Sequence, residues 1–242
     1  MGVLRATWQL LAGWLVMAVL GLTLVALILV SFGLLGELVG RSFLRAWGRS
    51  MLWIASVEVV VEGAEHLEGR RPRIITFNHG STLDGFIVNA LLPPGGTPVA
   101  RRSLIWVPVM GLVIALGPIV MVDRGNGPRA RRTLARAGRR IREESLSVVI
   151  APEGTRRGDE KPGRFKLGAF ELARETGAPI VPLVIIGAER LMPYGRLVSR
   201  PGRVRVKILP PIDTSDYTEE NLREHADALR ELYRQEMAAA AS

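Results

Sequence analysis

The chain has no cysteine, only three lysines and only three histidines. Without cysteine, disulfides, thiol catalysis and cysteine-ligated metals are all excluded. There is no Gly-x-Ser-x-Gly nucleophile elbow, so no serine is marked as the nucleophile of an acyl-enzyme. Internal repeats and low-complexity linkers are lacking too, apart from a small Ala-rich tail. Charge is missing from one long stretch: no Asp, Glu, Lys or Arg stands between Ala6 and Gly36. At ~1.5 Å per residue a helix of that length reaches about 46 Å, beyond the ~30 Å of a hydrocarbon core. The run is too long for the apolar region of a cleavable signal peptide. An all-round apolar helix of this size also fits poorly as a core helix. It reads as a membrane helix, or as a tilted, partly re-entrant one.

The adjoining segment is amphipathic. Arg41, Arg45 and Arg49 recur every four residues, while Phe43, Leu44, Trp47, Met51 and Ile54 broaden an apolar face. The pattern predicts an interfacial helix with its arginines towards anionic lipid; the alternative is a surface helix packed on a sheet. Arg5 alone precedes the apolar run, so the arginine excess after it places the rest of the chain on the cytoplasmic side of the cell membrane. A hairpin returning to the same face would leave both ends there. The net charge is +9, carried almost wholly by arginine. No aromatic stacking platform or recognition-helix motif accompanies it, so membrane lipids or phosphorylated substrates are the expected partners, not nucleic acid.

Beyond Ser56 short apolar runs alternate with helical patterns. Strands are expected at Val57–Val61, Arg73–Phe77, Pro98–Ala100, Ile119–Val122, Ser147–Ala151, Pro179–Ile186 and Arg203–Leu209. Helices are expected at Leu83–Leu92, Trp106–Leu116, Pro128–Glu144, Phe165–Thr176 and Thr218–Ala240. This alternation predicts an α/β fold with a mostly parallel central sheet flanked by helices. The chain divides into an N-terminal hydrophobic helical membrane module, residues 1–56, and a domain over 57–242.

Four segments could carry chemistry. In Asn78-His79-Gly80-Ser81-Thr82-Leu83-Asp84, a His and a carboxylate stand between a strand pattern and a helix pattern. A His held by a carboxylate is a candidate general base. His66 lies in a polar turn and His225 on a charged helix, so neither competes. Positions five apart lie about 140° around a helix axis, so the pair meets only if His79 is in the turn and Asp84 in the first helical turn. Ser81-x-x-Asp84 also reads as a capping box, and capping could itself fix Asp84 within reach of His79. The second segment, Pro152-Glu153-Gly154-Thr155-Arg156, ends a β-branched strand with an acid, a glycine turn, a hydroxyl and a guanidinium suited to phosphate. The third places Arg124 just past Val120-Met121-Val122, and the fourth places Lys166 at a helix start. Together they set cationic groups at strand ends, where ligand sites of α/β folds lie. No metal-binding cluster is visible.

Asn78-His79 with Asp84, then an apolar stretch ending in Asp123-Arg124, then Pro152-Glu153-Gly154-Thr155-Arg156, then Pro179-Ile180-Val181-Pro182-Leu183-Val184, in that order, resemble the glycerolipid acyltransferase superfamily. Within it they are most similar to the bacterial 1-acyl-sn-glycerol-3-phosphate (lysophosphatidic acid) acyltransferases. The resemblance covers about Ile74 to Ile186, and the family's N-terminal membrane-seating helices resemble residues 1–56. It implies His79 as general base towards a glycerol hydroxyl and Asp84 as the group that orients it. Glu153, Gly154, Thr155 and Arg156 match the acceptor-binding motif, with Arg156 and Arg124 on the phosphate and Lys166 near the acceptor. Val181, Pro182 and Leu183 match a structural motif along the acyl path. The implied partners are a lysophospholipid acceptor and an acyl thioester donor, acyl-CoA or acyl carrier protein, serving as co-substrate with no cofactor. Two departures stand out. Arg101-Arg102 replaces the usual Lys-Lys and keeps its charge, and Ala151 stands where Phe or Tyr is usual, altering the packing beside the acceptor.

Overall fold

The computed structural model describes residues 2–31, 34, 36–107, 111, 114, 119–122, 127–154, 162–196 and 198–240. Two long helices come first, α1 (Gly2–Val30) and α2 (Gly36–Ala55). The uncharged run is therefore broken near residue 30. Helix α1 is long and apolar enough to cross a membrane. Gln9, Gly13, Met17, Gly21, Leu24 and Ile28 recur every three or four residues and are buried, while Leu4, Leu11, Leu15, Leu22 and Leu29 on the other faces are bare. The start of α1 is fastened by polar groups. Arg5 donates to the carbonyls of Ala55 (2.8 Å) and Ser199 (3.1 Å), and the Gln9 amide accepts from Ser199 N–H at 2.9 Å.

Helix α2 turns Arg41 and Arg45 inward and leaves Arg49 exposed, which corrects the expectation of a lipid-facing row of three. Arg41, itself buried, donates to Gly96 O at 3.3 Å, and Arg45 donates to Leu92 O at 2.7 Å. The spacing of four puts these residues on one face. That face caps a carbonyl just past helix α3 (Leu83–Ala90) and the carbonyl that opens strand β3 (Gly96–Arg101). Gly48 makes the close approach possible, because a Cβ there would stand 2.5 Å from Phe86 O.

Seven strands form one sheet in the order β1-β7-β6-β2-β5-β3-β4. They are β1 (Val57–Glu62), β2 (Arg73–Phe77), β3, β4 (Val120–Val122), β5 (Ser147–Ile150), β6 (Ile180–Ile186) and β7 (Gly202–Ile208). Every neighbouring pair is parallel except β6 with β7, so β1 and β7 run against the other five. Alternate residues of β2, β5 and β6 enter two cores. Ile75, Val149 and Val181 face α2 and α3. Ile74, Val148 and Ile180 face α4 (Gly127–Glu144), α5 (Gly168–Thr176) and α7 (Leu222–Ala239). Both faces of these strands are covered, hence their unbroken apolar runs. Strand β7 is covered on one face only and alternates, with Val204, Val206 and Ile208 in and Arg203 and Arg205 out. Short helix α6 (Ala188–Leu191) follows β6 and was not legible as a pattern.

Helix α5 starts at Gly168, three residues later than expected, because Lys166 N–H bonds Pro152 O (2.8 Å) and holds the preceding chain against the β5 loop. Arg102–Trp106 is a 3-10 turn, and most of the helix expected over Trp106–Leu116 lies outside the described residues.

Candidate active site

Strands β2, β5 and β6 are adjacent and parallel, so their C-terminal ends form one edge from which three loops rise. In open α/β sheets, ligands bind in the crevice at such an edge. The loop after β2 carries His79, and that after β5 carries Glu153 and Gly154.

His79 lies in the turn and Asp84 in the first turn of α3, as their meeting requires. His79 Nδ1 is 3.0 Å from Asp84 Oδ2, with both side chains buried. The same Oδ2 accepts Ser81 N–H at 2.7 Å, and Ser81 Oγ accepts Leu83 N–H at 3.1 Å while donating to Met192 O at 2.7 Å. The cap-like turn and the His–Asp pair are thus one structure: the backbone bond that turns the chain into α3 also aims Asp84 at the imidazole. With Asp84 ionised, Nδ1 holds the ring proton and Nε2 carries the basic lone pair. Phe77 packs edge-on against the ring, with centroids 5.5 Å apart.

Glu153 reaches the same histidine from the other side. Its Oε1 accepts His79 N–H at 2.8 Å and its Oε2 accepts Gly163 N–H at 2.9 Å. Burial pushes this carboxyl above the usual range and Asp84 adds to the push, while the two N–H bonds and His79 pull it back. Gly154 follows in a left-handed conformation (φ +70°), and the Lys166 side chain lies across it, so a Cβ would meet Lys166 Cε at 2.8 Å. His79, Asp84, Glu153, Gly154 and Lys166 are thereby brought to one place. Arg124, Thr155 and Arg156 lie outside the described residues.

Two contributors carried no assigned role in the sequence. Asn78 donates through Nδ2 to Ile185 O (2.8 Å) and accepts Ile185 N–H at Oδ1 (2.7 Å), so its amide continues the β2–β6 seam where β2 has ended. Tyr233 of α7 reaches the same seam. Leu222, Ala226, Leu229 and Tyr233 mark the buried face of α7 by their spacing. That spacing does not say where the hydroxyl lands.

Residues 58–186 match the Acyltransferase family model. The chain belongs to the acyltransferase family. It is 34% identical over 199 residues to a 1-acyl-sn-glycerol-3-phosphate acyltransferase of Limnanthes alba, covering 82% of this chain and 69% of the plant protein. It is 32% identical over 206 residues to the protein of that description from Saccharomyces cerevisiae, covering 82% and 68%. Among solved structures, the 1-acyl-sn-glycerophosphate (LPA) acyltransferase of Thermotoga maritima superposes with a TM-score of 0.77 at 26% identity, covering 97% of each chain. In this acyltransferase the matched residues run from β1 to the end of β6, and so include both site loops. The apolar α1 gives it a membrane-associating element.

Proposed function

We propose that this acyltransferase moves a fatty acyl group from an acyl thioester, acyl-CoA or acyl carrier protein, to the free sn-2 hydroxyl of lysophosphatidic acid, giving phosphatidic acid. The observation that carries the reading is the buried His79–Asp84 contact at 3.0 Å. It fixes the ring so that Nε2 is the basic nitrogen. Nε2 takes the hydroxyl proton as the oxygen attacks the thioester carbonyl. The C–S bond then breaks, and the departing thiolate takes the proton from the imidazolium. No acyl-enzyme is formed. The buried carboxylates of Asp84 and Glu153 both favour the imidazolium that appears midway.

The relatives' activities support the acceptor, as does the basic character of the site segments. Arg124 and Arg156 are assigned to the phosphate, with Thr155, Gly154 and Lys166 completing the acceptor cradle. Residues 1–56 seat the domain of residues 57–242 on the cytoplasmic face of the membrane, where a lysolipid presents its hydroxyl. Ala151, in place of an aromatic residue, favours one competing reading: a different lysolipid, such as lyso-ornithine lipid or another lysophospholipid.

A panel of lysolipids assayed with acyl-CoA and with acyl carrier protein tests the proposal. Lysophosphatidic acid is expected to be acylated, and acylation of another lysolipid in its stead overturns the reading. His79→Ala is expected to lower turnover by about 100- to 10,000-fold with the fold intact. Parental turnover in that variant would remove His79 as the base.

A further inference from the structure

A side-chain hydroxyl enters the β2–β6 seam one rung below the catalytic loop. Thr76 pairs with Pro182 in the parallel register, which aims Leu183 N–H at Thr76 O. The Tyr233 hydroxyl reaches both of these groups: it accepts Leu183 N–H at 3.2 Å, donates to Thr76 O at 2.7 Å, and has Thr76 Oγ1 at 3.0 Å. One oxygen thus bonds both strands at this rung. The next rung is again made by a side chain, the Asn78 amide on Ile185, and His79 is the following residue.

We propose that Tyr233 is a positioning residue for His79: its hydroxyl clasps β2 and β6 at the last rung before the Asn78 amide, and that clasp sets where the His79 loop stands. This rests on reading His79 as the base. Three observations support it. Tyr233 is wholly buried in the centre of the sheet, where a hydroxyl is retained only if all its bonds are made. Burial holds the phenol well above its ordinary pKa, so it remains the donor that Thr76 O requires. The Asn78 amide makes the next rung at both ends, at 2.7 and 2.8 Å, so the clasped rung lies directly below the one that carries the histidine loop. Tyr233 lies beyond the residues matched by the family model, on the C-terminal helix, so the position of a loop at residue 79 is set from the far end of the chain.

Tyr233→Phe keeps the ring and removes the clasp. Thr76 O and Leu183 N–H then lose this shared partner, and the rung beneath Asn78 and His79 shifts. Steady-state kinetics on purified full-length protein, normalised to folded protein, is the test. The expected result is a kcat about 10- to 100-fold lower, with KM for acceptor and donor within about twofold of the parent. A kcat equal to the parent's overturns the proposal, as does a loss that vanishes on normalising to folded protein. Should Tyr233→Phe not fold, Thr76→Val, which strips only the Oγ1 beside the phenol, is expected to lower kcat several-fold at constant KM; parental kcat there also overturns the proposal. If the parent itself does not acylate the assayed lysolipids, the acceptor assignment fails, and the comparison is made on whichever acceptor it uses.

Discussion

Asp84 and Glu153 are both buried carboxylates bonded to His79, yet they grip different parts of it. Asp84 holds the ring at Nδ1, while Glu153 holds the main chain at N–H. Asp84 stands five residues away and is carried by the helix that the histidine loop starts. Glu153 stands in the loop after a different strand, β5, and ties the histidine loop to Gly163, further along its own loop. The difference separates two tasks within one site. In the proposed mechanism one carboxylate sets the tautomer and offsets the imidazolium charge. The other fixes where the histidine backbone stands relative to the β5 loop, which leads into the residues proposed to bind the acceptor.

The largest effect that would sharpen this division is Asp84→Asn. Ser81 N–H needs an acceptor at the place now held by Oδ2, so it pins the asparagine oxygen there, and the ring keeps its orientation. Only the charge is lost. Exchanging a charge-assisted for a neutral hydrogen bond is expected to lower kcat by about 100-fold, with little change in melting temperature. A melting temperature that collapses in this variant would show Asp84 to be chiefly a turn-forming residue.

Glu153→Gln should give the opposite profile. The amide can accept one of the two N–H groups but sets its own NH2 against the other, leaving a buried donor unsatisfied at a cost of about 1–3 kcal/mol. A lower melting temperature is expected, by roughly 2–10 °C for a chain of this size, with kcat down only about tenfold. Should this variant lose more turnover than Asp84→Asn, the division of labour between the two carboxylates is wrong.

The sequence carried the sheet well, since strands buried on both faces are unbroken apolar runs bounded by turns. Arg73–Phe77 falls where expected, β1, β5 and β6 differ by a residue at one end, and β7 is shifted by a residue at both. The His79–Asp84 meeting was legible too, because both partners are local and the Ser81 turn joins them. What was not legible is what distant chain supplies. Three arginines every four residues share a face, but only the carbonyls that distant chain places at Leu92 and Gly96 decide that two of them turn inward. Glu153 reads as a ligand-binding acid beside Gly154 and Thr155, yet its oxygens also accept backbone N–H groups, one from the His79 loop and one from Gly163, ten residues on. Tyr233 reads as one more buried position of an amphipathic helix. Its partner Thr76 is 157 residues away, and no periodicity records such a bond.

The smallest effect distinguishing Glu153 is in the pH dependence of stability. Its folded carboxyl titrates above the unfolded value, chiefly through burial. Below the unfolded carboxylate range both states hold the proton. As pH rises the unfolded chain ionises first, and between the two values the folded state keeps the extra proton, so this group's contribution falls with rising pH. Glu153→Gln has no such group. The parent should therefore be most stable relative to the variant in acid and lose that margin as pH rises through the window. Thermal unfolding of both proteins from acidic to neutral pH measures it, and other titrating groups cancel in the difference. A margin that grows with pH would mean that the His79 and Gly163 N–H bonds outweigh burial. Glu153 would then be a carboxylate stabilised by its clasp, and the clasp would strengthen on ionisation.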